Sequence, residues 1–157
     1  MCCYYNIYMY ESSEQTIVNL DCYPKVIVNL YSVKDIIILT QEWIKLYEYN
    51  TPFTFIFNLN NLNAKVKDIG YGILLSNFIK KIKKHRKMNP GKYNLLKESI
   101  IVVENQLNHS FIKSVFNLTT PLSNTYIVNT LEKANMLYDN ILKNEKIDLN
   151  NVKLIKP

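Results

Sequence analysis

The residues best placed to do chemistry cluster in Lys67-Asp68-Ile69-Gly70-Tyr71-Gly72-Ile73-Leu74, where a carboxylate precedes the chain's single Gly-x-Gly. Asp68 can accept hydrogen bonds from a partner at a loop. It can equally be a plain acid at a helix start, favoured there by about 0.3–1 kcal/mol through the helix dipole. Gly70 and Gly72 hint at phosphate cradling. The dinucleotide fingerprint needs a third glycine where this chain has Leu75, and the lysine and hydroxyl of a P-loop are missing too. Close helix–strand packing is the simpler use of the pair.

Basic residues gather a little further on. Lys80, Lys83, Lys84 and Lys87 share one helical face, with Arg86 and Lys92 near its end. Such a row can neutralise phosphates and give salt-sensitive binding. It can also be a solvated face whose cations complement a helix C-terminus. The row lacks the interleaved aromatics of single-strand binders, and no DNA-reading motif accompanies it. His85 and His109 lie far apart without carboxylate or cysteine companions, and no Ser/His/Asp or Cys/His set assembles. Cys2, Cys3 and Cys22 match neither a disulfide framework nor a zinc spacing. The expectation is therefore a chain without catalytic residues, metal or cofactor, its thiols in a reducing compartment.

Alternating strands and helices must position these residues. Lys25–Tyr31, Phe53–Leu59, Glu98–Glu104 and Thr125–Val128 read as strands, the third a compact apolar run suited to a sheet centre. Tyr5–Tyr10 and Thr16–Leu20 flank a polar turn and predict an N-terminal hairpin. Ser32 and Asp35 open one helix, which places Ile36, Ile37, Leu39, Trp43, Ile44, Leu46 and Tyr47 inward and ends before Pro52. The helix after the loop places Tyr71, Leu74, Leu75, Phe78, Ile79 and Ile82 inward, opposite the lysines, and Asn89-Pro90-Gly91 stops it. A short helix starts near Asn108, and Asn129-Thr130-Leu131-Glu132 opens the last one.

The bulk figures agree with one domain. A chain of 157 residues with a net charge of +6 has room for a core without staples. No apolar run approaches the roughly 18 residues of a membrane span. The N-terminus lacks a basic n-region and an apolar h-region, which predicts no secretory signal and a cytoplasmic location. Abundant Asn, Ile, Lys and Tyr fit an AT-biased genome.

This order of elements resembles a STAS domain, the family of anti-sigma-factor antagonists and sulfate-transporter tails. The family's Asp-Ser-Ser-Gly-Leu-Gly-Val-Leu helix opening is similar to Lys67 through Leu74, with both glycines in place. Ile101-Val102-Val103, Phe111 to Phe116, Pro121-Leu122, Tyr126-Ile127-Val128 and Leu131-Glu132-Lys133-Ala134 follow the family's later order. The likeness spans Lys25 to Leu142 and rests on spacing more than identity. It implies a regulatory module that binds another protein. In switching members a partner kinase phosphorylates the serine after the aspartate. Here Lys67 stands for that aspartate, Asp68 for that serine and Ile69 for the next one, so the switch does not carry over. A carboxylate replaces only part of a phosphate's charge and acceptors.

The sequence thus predicts an α/β domain over 1–143, with a mixed sheet and about four helices. Hairpin strands occupy 1–23, the core 25–142, and an extension 144–157. Its partner-binding residues are Asn60, Asn61, Asp68, Gly70, Tyr71 and Gly72. The alternative is a basic accessory or virion structural protein whose Lys80, Lys83, Lys84 and Lys87 bind nucleic acid or an anionic surface.

Overall fold

The β-branched and aromatic runs become strands of a single sheet, and the amphipathic runs become its covering helices. The computed structural model describes residues 17–65, 68–148 and 150–157. The strands are β1 (Val18–Asn19), β2 (Lys25–Asn29), β3 (Phe53–Asn58), β4 (Leu96–Val102), β5 (Asn124–Val128) and β6 (Lys153–Ile155). The helices are α1 (Asp35–Leu46), α2 (Ile69–Met88), α3 (Pro90–Tyr93), α4 (Gln106–Leu118) and α5 (Leu131–Leu142), with a 3-10 turn over Tyr47–Tyr49.

The six strands lie side by side in chain order. β2 to β5 are parallel, and β1 and β6 close the two edges antiparallel. Stepping always in one direction through right-handed crossovers puts α1, α2 and α4 on the same face. There Val26, Val28, Phe53, Phe55 and Ile101 pack beneath Leu39, Trp43, Leu75, Ile79, Phe111 and Val115. The opposite face, with Ile56, Ile100, Val102, Tyr126 and Val128, is covered by Ala134, Leu137 and Tyr138 of α5. β3 and the second half of β4 are buried on both sides, which is why Phe53–Phe57 and Ile100-Ile101-Val102 read as compact, largely apolar runs.

Trp43 carries much of the join between α1 and the sheet. Its ring meets Phe55 edge-on at 4.7 Å and Phe78 of α2 at 5.4 Å. Its indole N–H donates to the Tyr47 hydroxyl.

Several expectations need adjustment. Among the described residues five helices stand where about four were expected, because Asn89 caps the separate short α3 through its side chain. Ile37 and Ile44 are exposed rather than inward. α1 is the end helix of its layer with α2 on one side, so its far flank faces solvent. The residues after 143 supply β6, whose Ile155 reaches one core while Val152 and Leu154 reach the other. Of the expected N-terminal hairpin, Tyr5–Tyr10 lies outside the described residues, and the second half supplies β1 against β2.

Candidate functional site

Parallel strands bring the loops after β2, β3, β4 and β5 to one end of the sheet. The loop between β3 and α2 is tied down there from three directions. Asn108, fully buried in the first turn of α4, donates through its side-chain amide to the carbonyls of Leu59 at 2.7 Å and Leu62 at 2.9 Å. Asn60 donates through its side chain to the Asn129 carbonyl at 3.4 Å and through its backbone to the Asn58 side chain at 3.2 Å. Asn58 in turn donates to Asn29, its register partner on β2.

Asp68 supplies the third tie. It is only 9% exposed, and its carboxylate accepts the Lys65 backbone N–H at 2.7 Å while its own N–H donates to the Lys65 carbonyl. Its carboxylate thus closes its own loop instead of reaching outward, and it caps no helix amide. Asn61 is exposed at the loop tip.

The two glycines part company. A Cβ at Gly70 would meet nothing within 4 Å. A Cβ at Gly72 would sit 3.1 Å from the Ser114 hydroxyl and 3.6 Å from Phe111 and Val115. Gly72 therefore lets α2 approach α4, so the close packing is helix on helix and not helix on strand. Tyr71 is half-buried against the main core. Ile73 and Leu74 are 45% and 38% exposed, beside Gly70. Leu74 was expected to face inward. The buried side of α2 instead turns toward α4 through Gly72, Leu75, Ser76 and Ile79.

The basic residues do not form one uniform row. Lys80, Lys84 and Lys87 are exposed, with no ion-pair partner among the described residues. Lys83 is half-buried and donates to the Thr120 hydroxyl. Burial, helped by the nearby Arg86 charge, holds its ammonium below the ordinary lysine range. Arg86 is a brace: it donates to the carbonyls of Tyr93 and Leu122, joining the foot of α2 to α3 and to the α4–β5 connection. Asp68 and Lys87 lie 19 residues apart at the two ends of α2, about 28 Å along a helix axis.

His85 stacks on Tyr93 at 5.2 Å, and His109 stands exposed on α4. Among the described residues no three His, Cys, Asp or Glu side chains gather as a metal site. No helix among them is long and apolar enough to cross a membrane.

Sequence reasoning missed Asn108 as the key brace and Asn129 as an anchor. The available signal was faint: an amide in a first helical turn is common as local capping, and nothing in the pattern pairs it with a loop nearly fifty residues away. The chain matches none of the family models, curated proteins or solved structures compared with it.

Proposed function

We propose that this chain is a non-catalytic protein-interaction module of the STAS type, without a phospho-acceptor switch. Its contact surface is loop residues 60–65 and Asp68 together with the outward flank of the first turns of α2. One observation carries the reading: a loop braced at Leu59 and Leu62 precedes a helix whose first turns leave two aliphatic side chains, Ile73 and Leu74, exposed. Bracing lowers the ordering cost of association. Apolar anchors beside polar groups are what a protein partner can bury. Asn61 and Gly70 sit at the centre of this surface. Asp68 and Gly72 contribute from beneath by fixing the loop and the helix position, and Tyr71 backs the helix from the core side.

Site-specific photocrosslinking tests this reading. Benzoylphenylalanine placed at Asn61 or Gly70 should capture a discrete protein adduct in a lysate of the source cells, and Ile73→Glu should abolish it. The same probe at Lys84 should capture none. Adducts formed equally from all three positions, or surviving Ile73→Glu, would refute the proposed surface.

The second reading, nucleic-acid or anionic-surface binding through the lysine face, is favoured by Lys80, Lys84 and Lys87 being exposed with no ion-pair partner among the described residues. With three free cations, binding to duplex DNA should show a log–log salt slope no steeper than about −3. Replacing Lys80, Lys83, Lys84 and Lys87 by Gln should flatten it. A slope untouched by that variant would exclude this face.

A further inference from the structure

The sheet end that carries the braced loop also carries a parting of the chain. After β3 and β4 the connections rise to the same face, so their loops pack on one another, as Asn108 does on Leu59 and Leu62. After β5 the chain turns to the opposite face to form α5. Connections therefore diverge between the carboxyl ends of β4 and β5. In open α/β sheets that is where ligands sit, because the diverging loops leave a crevice.

A cleft of about 390 Å³ lies at this point. Its volume falls within the roughly 300–1,000 Å³ typical of small-molecule sites. Buried Val103, Ile127 and Val128 give it an apolar floor. Its rim carries His109, Asn129, Asn151 and Lys153. β6 builds the far wall: its antiparallel register sets Lys153 directly opposite Ile127, so the two side chains share the face occupied by α4. His109 comes from the early turns of α4 on the near side.

The chemistry of this lining is one-sided. It offers an ammonium, an imidazole and two primary amides, and among the described residues no carboxylate lines it. Lys153 is exposed and has no ion-pair partner among the described residues. α4 begins beside the cleft, so its positive end adds to the same sign of field. Other sites in the molecule compete poorly. The apolar cavity between the helices and the sheet holds only about 50 Å³. The lysine face of α2 has cations but no walls.

The geometry points to a binding site for a small organic anion, whose carboxylate or phosphate meets Lys153 and His109 while its apolar body rests on Val103, Ile127 and Val128. This site goes beyond the protein-contact surface and does not rest on it: no cleft-lining residue belongs to that surface, although the Asn129 carbonyl also holds the Asn60 side chain.

Backbone-amide NMR of the full chain, titrated with benzoate, phenyl phosphate and neutral benzamide, tests the inference. One or both anions should shift the amides of His109, Asn129, Asn151 and Lys153 along saturable curves. Saturation by benzoate alone identifies a carboxylate site, and by phenyl phosphate alone a phosphate site. Lys153→Met should weaken binding about tenfold, the worth of one charge-assisted hydrogen bond. Replacing Lys80, Lys84 and Lys87 by Gln should leave it unchanged. Both sets of side chains are exposed, so neither variant threatens folding. The inference fails if neither anion gives saturable shifts at millimolar concentration, if benzamide binds as well as the anions, or if the shifts centre on α2 and survive Lys153→Met.

Discussion

Single side chains set the rigidity of the sheet's loop end and the acid response of its other end. Asn108 bonds two buried carbonyls at once; replacing it with Ala strips the Leu62 carbonyl of its donor, while the Leu59 carbonyl keeps the Leu62 backbone N–H. Asn108→Ala should lower stability by about 2–4 kcal/mol in urea titrations, combining two lost bonds with the desolvation of the one carbonyl left unpaired. Amide exchange at Leu62 to Lys65 should quicken, since the loop loses its tie to α4. Glu98 behaves differently. One carboxylate oxygen accepts weakly from Asn124, and the other is buried with no partner among the described residues. Burial raises its carboxyl above the ordinary glutamate value, with the Asn124 bond pulling the other way. The folded state therefore holds this proton more tightly than the unfolded state. The associated stability is fully present below the ordinary carboxyl value of about 4.3 and is lost as pH rises through the raised one. Glu98→Gln removes that loss. Its unfolding free energy from urea titration, relative to the parent chain, should be higher at pH 7 than at about pH 4, by no more than about 1 kcal/mol because the group is partly solvated.

At the scale of elements, the two glycines of α2 make opposite predictions from the same residue type. Gly70→Ala adds a methyl into open space and removes backbone freedom from the unfolded chain, so it should stabilise by about 0.5–1 kcal/mol. Gly72→Leu drives carbon into Ser114, Phe111 and Val115 and should destabilise by about 1–3 kcal/mol. Thermal melts of the pair separate a packing glycine from a dispensable one. This contrast also explains what could be read from the sequence. The strands of the sheet centre were legible because burial on both faces leaves continuous runs such as Ile100-Ile101-Val102. The start of α5 was legible to within a residue: Thr130, not Asn129, is the cap and accepts the Lys133 N–H. The facing of α2 was legible at Tyr71, Leu75, Phe78, Ile79 and Ile82 and misread at Leu74, because the contact with α4 also runs through Gly72 and Ser76, small residues that carry no hydrophobic signal. α1 was misread at Ile37 and Ile44 because periodicity records an apolar face, not whether a neighbour arrives to cover it. The candidate loop itself was legible from its place after β3, whereas the inward turn of Asp68 follows from a bond to the backbone of Lys65, which no side-chain pattern records.

For the molecule as a whole, the question is where the domain ends. β5 without β6 would be an edge strand offering a free row of backbone donors and acceptors beside buried Tyr126 and Ile127. The chain from Asn144 onward prevents this by returning along the α5 face, with Ile147, Val152 and Leu154 packed on that core. Its final strand pairs Lys153, Leu154 and Ile155 with Ile127, Tyr126 and Thr125. Alternation at β6 then sends Leu154 to one core and Ile155 to the other, so three residues seal both layers at once. A segment so short and so polar around its apolar residues does not announce itself as a strand; the exposed edge of β5 selects it. Removing residues 144–157 should therefore act as damage to the core and not as loss of a tail. The truncated chain should unfold at markedly lower urea, by about 3 kcal/mol or more for several apolar side chains returned to water. It should also associate through the bared β5 edge, visible as concentration-dependent sedimentation. An unchanged midpoint with monomeric sedimentation would show that the sheet closes at β5 unaided. The same truncation removes Lys153 and Asn151 from the cleft, so anion binding should vanish with it, whereas Leu154→Ala should cost stability yet leave the cleft's polar rim in place.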